Sequence, residues 1–182
     1  MTAQYPEDLI DAPVSGPAIK QFLGDYFTSY THPDDQQVRD GSARLTYARF
    51  EHSPSIVSVV FTNDWYLGGP HPNDVITTFT FDLEHNKVMQ LTDLLCDRDA
   101  EPLDSLSALV RPYVQQAVAP RPVEQYEPGP ASQYTDDYRA WYLDGDDLVL
   151  VMPSARIGPA HAGQWQPRIP LMALQRNCQS VT

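Results

Sequence analysis

A diglycine turn between two strand-like segments constrains this chain more than any other part of its sequence. Ser55 to Tyr66 and Val75 to Phe81 are rich in β-branched and aromatic residues that alternate in character. Gly68-Gly69 lies between them, followed by Pro70 and Pro72. Glycine takes positive φ without steric cost and proline fixes its own φ, so the segment predicts a rigid turn. We therefore expect two long antiparallel strands joined at this point.

Helical periodicity occurs on both sides of these strands. Ser15 is a candidate N-cap and Pro17 a first-turn residue, after which apolar residues recur every three or four positions as far as Tyr30. Leu103 to Ala117 shows the same spacing and ends before Pro120. These patterns predict two amphipathic helices that flank the sheet.

Shorter strand signals complete the predicted fold. Residues 43–51 have alternating character, and a short strand is expected at 88–91. Residues 139–143 and 148–152 surround an Asp-Gly pair, which predicts a hairpin, and residues 169–174 form a last apolar segment. The sequence therefore indicates an α+β protein in which two main helices pack on a mainly antiparallel sheet.

Length and charge limit the possible functions. The chain has 182 residues, which suits a single domain. Its net charge is -12 and Lys20 and Lys87 are its only lysines, so binding to the phosphate backbone of nucleic acid is disfavoured. No apolar run is long enough to cross a membrane. A cationic partner would be attracted to this surface, although acidic charge also serves solubility alone.

The two cysteines, Cys96 and Cys178, have no metal-binding spacing. Either they form a disulfide across a long loop, worth roughly 4 to 5 kcal/mol in the chain-entropy model, or they are two buried thiols. The first residues do not form a signal peptide, which leaves a cytoplasmic protein and an exported one whose leader has been removed as alternatives.

Catalytic motifs are absent from the sequence. There is no nucleophile elbow, no calcium loop, no zinc helix and no phosphate loop, so neither a metal nor a cofactor is expected. His71, held between two prolines, is a candidate general base with Asp64 or Asp74 as its partner, but a structural role in the turn is the simpler interpretation. We expect no catalytic residue and no enzyme activity.

Aromatic and polar loop residues point to binding instead, because Tyr and Trp commonly anchor interfaces. The alternative is that these rings cap the edges of a small core. The candidate binding residues are Trp65, Tyr66, His71, Asn73, Tyr126, Tyr134 and His161.

Several segments together resemble the RsiV-type domain of unknown function. They are Val57 to Phe61, Gly68 to Asn73, Thr78 to Leu83, Leu91 to Leu95, Leu143 to Met152, Ile157 to Gly163 with its Pro159 and Gly163 turn, and Ile169 to Leu171. The resemblance assigns residues 13–175 to the domain, with residues 1–12 as an N-terminal extension and 176–182 as a tail. It implies helices on a curved antiparallel sheet.

That family includes the extracytoplasmic part of an anti-sigma factor that binds lysozyme, the non-catalytic part of a peptidoglycan deacetylase, and a similar mycobacterial secreted antigen. The resemblance implies a periplasmic or secreted, non-catalytic module that binds or inhibits lysozyme or another cationic cell-wall hydrolase. Such a location favours a Cys96 to Cys178 bridge. An immunity protein against a toxin, an envelope hydrolase or deacetylase-associated domain using His71, and a secreted antigen without a dedicated ligand are the alternatives.

Overall fold

The strands form two sheets where the sequence predicted one. The computed structural model describes residues 1–30, 42–66, 73–95, 106, 109–113, 116, 138–152 and 164–174. A curled main sheet has the order β1 (Thr2–Ala3), β2 (Ser42–Glu51), β3 (Ile56–Tyr66), β4 (Asn73–Asp82) and β5 (Lys87–Val88). A small sheet has the order β6 (Ala140–Asp144), β7 (Asp147–Val151) and β8 (Arg168–Pro170).

Helices lie between β1 and β2 and again after the last strand of the main sheet in the chain. They are α1 (Glu7–Ile10), α2 (Ser15–Tyr30) and a 3-10 turn at Leu91–Leu94, and residues 106, 109–113, 116 and 171–174 are also helical. All strand pairs are antiparallel except β1 with β2, which is parallel. The α+β class and the mainly antiparallel pairing are therefore confirmed.

The predicted long hairpin is present as strands β3 and β4. Its register places Trp65 opposite Asn73 and Ile56 opposite Asp82. Val59 and Phe61 are fully buried on one face of β3, where they are covered by α2. Alternation thus brings every second side chain into the core beneath the helix.

Helix α2 covers one face of the main sheet. Ile19 and Leu23 are buried against Leu45 and Phe61, and the Phe22 and Phe61 rings lie 4.7 Å apart between centroids. The helix begins at Ser15, but the predicted N-cap role of Ser15 is wrong. Its buried hydroxyl instead donates to the Leu9 carbonyl at 2.7 Å, which joins α2 to α1.

The described buried residues of the second predicted helix pack on the small sheet. Leu106 and Val110 are fully buried in one cluster with Trp141 and Leu150 of β6 and β7. The opposite face of the small sheet contacts the main sheet through Tyr142 and its neighbours. The layers therefore run helix, main sheet, small sheet, helix, because β6 and β7 are apolar on both faces.

Hydroxyl groups connect the two sheets. Leu143 N–H donates to Ser58 Oγ at 3.0 Å, and Trp141 N–H donates to Thr78 Oγ1 at 3.0 Å. Ser58 Oγ also hydrogen-bonds Thr80 Oγ1 at 2.8 Å, and both side chains are buried. Because β6 is an edge strand of the small sheet, these bonds satisfy backbone donors that have no strand beside them.

The N-terminal residues are integrated into the fold. Thr2 and Ala3 pair with Arg44 and Leu45 in the main sheet, and Leu9 is buried in the core under α2. The segment expected from the resemblance to be an extension thus supplies an edge strand. Its short length leaves most of β2 without a neighbour on that side among the described residues.

The hairpin of β6 and β7 has Gly145 and Asp146 as its two loop residues. Gly145 has φ +56°, the left-handed value that a glycine-first hairpin turn requires. His52 Nδ1 donates to the Gly145 carbonyl at 2.6 Å and holds the turn over the start of β3. The Asp-Gly signal is confirmed, with Asp144 as the last strand residue.

Substituting alanine for each of two glycines of α2 should have opposite effects on stability. A Cβ at position 16 would lie 2.5 Å from the Ile10 carbonyl oxygen, whereas nothing lies within 4 Å of one at position 24. We expect Gly16→Ala to lower the free energy of unfolding by about 1–3 kcal/mol and Gly24→Ala to raise it by about 0.5–1 kcal/mol. Urea denaturation of both variants measures the difference, and equal effects would contradict the packing of α1 on α2.

Ser58→Ala should destabilise the protein by about 1–3 kcal/mol, because the buried Leu143 N–H would lose its acceptor. The matched control is Ser29→Ala, whose exposed hydroxyl donates to the Asp25 carbonyl and whose loss should change stability by less than about 0.5 kcal/mol. Thermal or urea unfolding tests both. A neutral Ser58→Ala would show that the hydroxyl contributes little to joining the sheets.

Candidate functional site

Three of the predicted binding residues lie at one end of the main sheet. Trp65 and Tyr66 end β3, and Asn73 begins β4 directly opposite Trp65. The remaining predicted site residues lie outside the described residues: His71, Tyr126, Tyr134 and His161 for binding, Gly68, Gly69, Pro70, Pro72, Pro159 and Gly163 for the turns, and Cys96 and Cys178 for the disulfide. Their assigned roles stay predictions.

Trp65 and Tyr66 belong to opposite faces of the main sheet. Trp65 is half-buried against the core beneath α2, on the same face as Phe61 and Leu45. Tyr66, one residue further along the strand, lies on the face that carries Asp64. The sheet therefore separates the two neighbouring aromatic side chains, and Trp65 supports the end of the core.

Two aspartates face each other across this end of the hairpin. Asp64 of β3 is directly opposite Asp74 of β4, and Arg44 of β2 is opposite Asp64 on its other side. Like charges directly opposite on neighbouring strands destabilise a sheet. The only side-chain hydrogen bond to either carboxylate from another described residue comes from Gln164 Nε2, which donates to Asp74 Oδ2 at 2.8 Å.

A cavity of about 270 Å³ opens beside Asp74 at the junction of the two sheets. Ile76, Ala140 and Val151 give it an apolar floor, and it is also lined by Asp74, Val75, Arg139 and Gln164. The site thus combines a carboxylate, a guanidinium and an amide with an apolar surface. The Asp74 carboxylate and the Gln164 amide oxygen can accept hydrogen bonds from a cationic group whose aliphatic part packs on the floor, whereas the Arg139 guanidinium can only donate.

Gln164 and Arg139 were not among the residues singled out from the sequence. Gln164 is 90 residues from Asp74 along the chain, and only the packing of the small sheet on the main sheet brings them together. Asp64 and Asp74 lie near the facing ends of the two predicted strands, but the diglycine pair alone does not give their register. A hairpin symmetric about Gly68-Gly69 would pair Asp64 with Asn73, whereas the sheet places Asp64 opposite Asp74.

Metal binding has no support from the described part of the chain, where no group of three or more His, Cys, Asp and Glu is placed to hold an ion. In the same residues, no helix is long and apolar enough to cross a bilayer.

Most cationic side chains in the described ranges lie beside carboxylates. The pairs are Lys20 with Asp11 at 3.6 Å, Arg49 with Asp8 and Glu51, Lys87 with Asp93 at 2.6 Å, and Arg168 with Asp144 at 2.8 Å and Asp147 at 3.0 Å. These contacts are largely exposed, so each adds at most about 1 kcal/mol to stability. Their main effect is local: they place negative charge beside the few positive groups of an already acidic surface.

The turn between β4 and β5 contains a coupled acid and base. Asp82 Oδ1 accepts backbone N–H bonds from Glu84 and His85, and Asp82 Oδ2 lies 2.8 Å from His85 Nδ1. The backbone bond from His85, followed by its side-chain bond, lowers the pKa of Asp82. The bond to Asp82 in turn raises the pKa of His85 above 6.5. His85 is exposed and Asp82 is half-buried, so the pair lies at the surface of the turn.

Solved structures show where this architecture recurs. The chain shares the fold of DUF3298 family proteins. One, from Pseudomonas aeruginosa PAO1, has a TM-score of 0.60 and 14% identity over 94% of this chain and 80% of that chain. Another, from Bacteroides fragilis, has a TM-score of 0.56 and 15% identity over 89% of this chain and 62% of that chain. No protein-family model and no curated protein matches the sequence.

These structures have the family name of a domain of unknown function, so the likeness concerns the fold. At the level of fold it is consistent with the RsiV-type resemblance. The chain spans less than two thirds of the Bacteroides fragilis protein.

The Asp82 and His85 pair gives a pH prediction. The raised pKa of His85 contributes stability below pH 6.5 that is lost as pH rises through its folded-state value. The lowered pKa of Asp82 contributes stability above pH 3.8 that is lost as pH falls through its folded-state value. The pair therefore stabilises the turn most between about pH 3.8 and 6.5.

We expect Asp82→Asn to lower the pKa of His85 toward 6.5, because the charged partner is removed. NMR titration of the imidazole measures it. Glu84→Gln is the control, because Glu84 contributes less to the pKa of His85 than Asp82 does, and it should produce a smaller decrease. An unchanged His85 titration in Asp82→Asn would contradict the hydrogen bond.

Proposed function

We propose that this protein is a non-catalytic module that binds a cationic protein partner at the end of the main sheet where Asp64 faces Asp74. The facing carboxylates are the observation that carries the proposal. Their repulsion is worth up to about 1 kcal/mol in water, and a bound ammonium or guanidinium group would convert it into attraction. Arg44, opposite Asp64 on its other side, offsets part of this repulsion in the isolated protein, and a cationic group of a partner would offset the rest.

The adjoining cavity supports the same proposal. Its aliphatic floor of Ile76, Ala140 and Val151 suits the methylene chain of a lysine or arginine, while Asp74 and Gln164 suit the charged head. A surface of this kind gains from covering its apolar part and from pairing its carboxylates.

The net negative charge of the chain also attracts a basic partner at distances beyond direct contact. The chain has 24 acidic against 12 basic residues, and complementary charge raises association rates in a salt-dependent way. By the RsiV-type resemblance, the partner we propose first is lysozyme or another cationic cell-wall hydrolase, with a basic toxin as the alternative. Binding at or near the partner's active site would inhibit it.

The proposal includes a location outside the cytoplasm. Lysozyme and cell-wall hydrolases act in the periplasm or beyond it, and oxidising conditions there would permit a Cys96 to Cys178 disulfide. The secreted antigen-like role without a dedicated ligand is the outcome if no basic protein binds.

Envelope hydrolysis or deacetylation through His71 is the second candidate. Asp64 and Asp74 are on the strand ends that precede and follow residues 67–72, so an acidic partner for His71 is available nearby in sequence. His71→Ala separates the two candidates. The binding module retains partner affinity in this variant, whereas the enzyme loses activity on peptidoglycan.

Calorimetric titration with lysozyme tests the binding proposal directly. We expect Asp64→Asn/Asp74→Asn to weaken binding by about ten-fold or more, because charge-assisted hydrogen bonds to a basic residue would be lost. Inhibition of muramidase activity should weaken in parallel.

The control is Asp25→Asn/Glu84→Gln, which removes the same charge from exposed positions elsewhere. It should reduce affinity less than about three-fold and flatten the salt dependence only slightly. Equal losses in both double variants would show that net charge alone drives binding. Absence of heat with lysozyme would eliminate lysozyme as the partner, and the same variants can then be tested with other basic hydrolases.

A further inference from the structure

The open side of strand β2 forms a second surface, separate from the end of the main sheet. β1 pairs only with Arg44 and Leu45, and the Gln4 N–H donates to the Leu45 carbonyl at 3.0 Å. Backbone groups of successive strand residues point alternately to opposite sides. Because Leu45 faces β1, the N–H and C=O groups of Tyr47, Arg49 and Glu51 also point away from β3.

No described strand occupies that side of β2 beyond Leu45. The stretch from Tyr47 to Glu51 is roughly 13 Å long at about 3.3 Å per residue. Its outward backbone groups are a ready template for an added strand. An edge of this length matches an extended peptide of about five residues.

A groove of about 860 Å³ lies beside this edge. Tyr5 and Tyr47 line it and are each 38% exposed, and Glu7 and Asp8 of α1 add carboxylates to its wall. Exposed tyrosine rings provide a large contact area at low entropy cost. The groove therefore offers side-chain contacts next to the unpaired backbone.

Charge indicates what the groove accepts. Glu7, Asp8 and Glu51 surround the edge, and Arg49, paired with Asp8 and Glu51, is the single cation among them in the described residues. A second copy of this chain would bring the same surplus of negative charge and repel. A basic extended segment would find complementary charge, aromatic contacts and backbone partners together.

We propose that the β2 edge from Tyr47 to Glu51, with the Tyr5 and Tyr47 groove, binds an extended lysine- or arginine-containing segment of a protein by strand addition. The peptide continues the main sheet beyond the two-residue strand β1. Its backbone bonds to Tyr47, Arg49 and Glu51 provide affinity, and its basic side chains contact Glu7 and Glu51. The surface is distinct from the Asp64 and Asp74 site, so the proposal does not depend on that function.

Three synthetic peptides test strand addition. The probe is acetyl-(Lys-Val)3-amide, compared with its fully N-methylated form and with acetyl-(Glu-Val)3-amide. We expect the first to shift the amide NMR signals of Tyr47, Arg49 and Glu51 and to slow their hydrogen exchange. N-methylation should weaken binding about ten-fold or more, because each peptide N–H donor is lost while its charge is kept.

Variants of the groove distinguish peptide binding at this edge from attraction by the overall negative charge of the protein. Glu7→Gln/Glu51→Gln should weaken binding of the lysine peptide about three- to ten-fold, whereas Asp25→Asn/Glu84→Gln should change it less than two-fold. Circular dichroism and thermal unfolding establish that each variant is folded. Asp64→Asn/Asp74→Asn should leave peptide affinity unchanged, which distinguishes this surface from the other site.

Several results would overturn the proposal. Equal affinity for the N-methylated peptide would show charge attraction without strand addition. Signal shifts confined to other strands would place the peptide elsewhere, and no binding at millimolar peptide would exclude the surface. Concentration-dependent dimers in sedimentation that protect the same amides would show that a second copy occupies the edge.

Discussion

The contact between the hydroxyl groups of the main sheet and the backbone of β6 is the interaction on which the architecture depends. Ser58 and Thr78 accept hydrogen bonds from the N–H groups of Leu143 and Trp141, and Thr80 completes the buried set. β6 is an edge strand buried in the interior, so its outer N–H groups have no water to bind. Without hydroxyl acceptors, each would cost about 1–3 kcal/mol. Apolar residues at these three positions would pack equally well but leave the edge unsatisfied.

Placing the small sheet on one face of the main sheet determines where binding surfaces can form. In the described part of the chain, one face of the main sheet is closed by α2 and the other by β6 and β7, which leaves its ends and its β2 edge for a partner. At one end, packing brings Gln164 to Asp74 and forms the cavity beside the facing aspartates. Along the β2 edge, the short strand β1 leaves backbone groups exposed. Both surfaces are acidic, and their separation lets variants test each one independently.

Sequence reasoning succeeded where the signal was local. The β3 and β4 hairpin, α2, and the β6 and β7 hairpin follow from alternation, from helical spacing and from turn glycines, all of which act within about ten residues. The predicted N-cap role of Ser15 failed because a hydroxyl can donate to a neighbouring segment as readily as it can accept from its own helix. The prediction of a single sheet was wrong because alternation identifies strands but does not determine which strands pair.

The sequence by itself determined the elements and the acidic charge. Only the tertiary structure decided that the strands divide into two sheets, that Leu106 and Val110 cover the small one, that Asp64 lies opposite Asp74, and that Gln164 meets Asp74. It also decided that no described strand pairs with β2 beyond Leu45 on the side of β1. The reason is physical: element formation depends on neighbours along the chain, whereas the Ser58 to Leu143 and Asp74 to Gln164 contacts join residues 85 and 90 positions apart. Such contacts form only when burial of apolar faces brings the layers together.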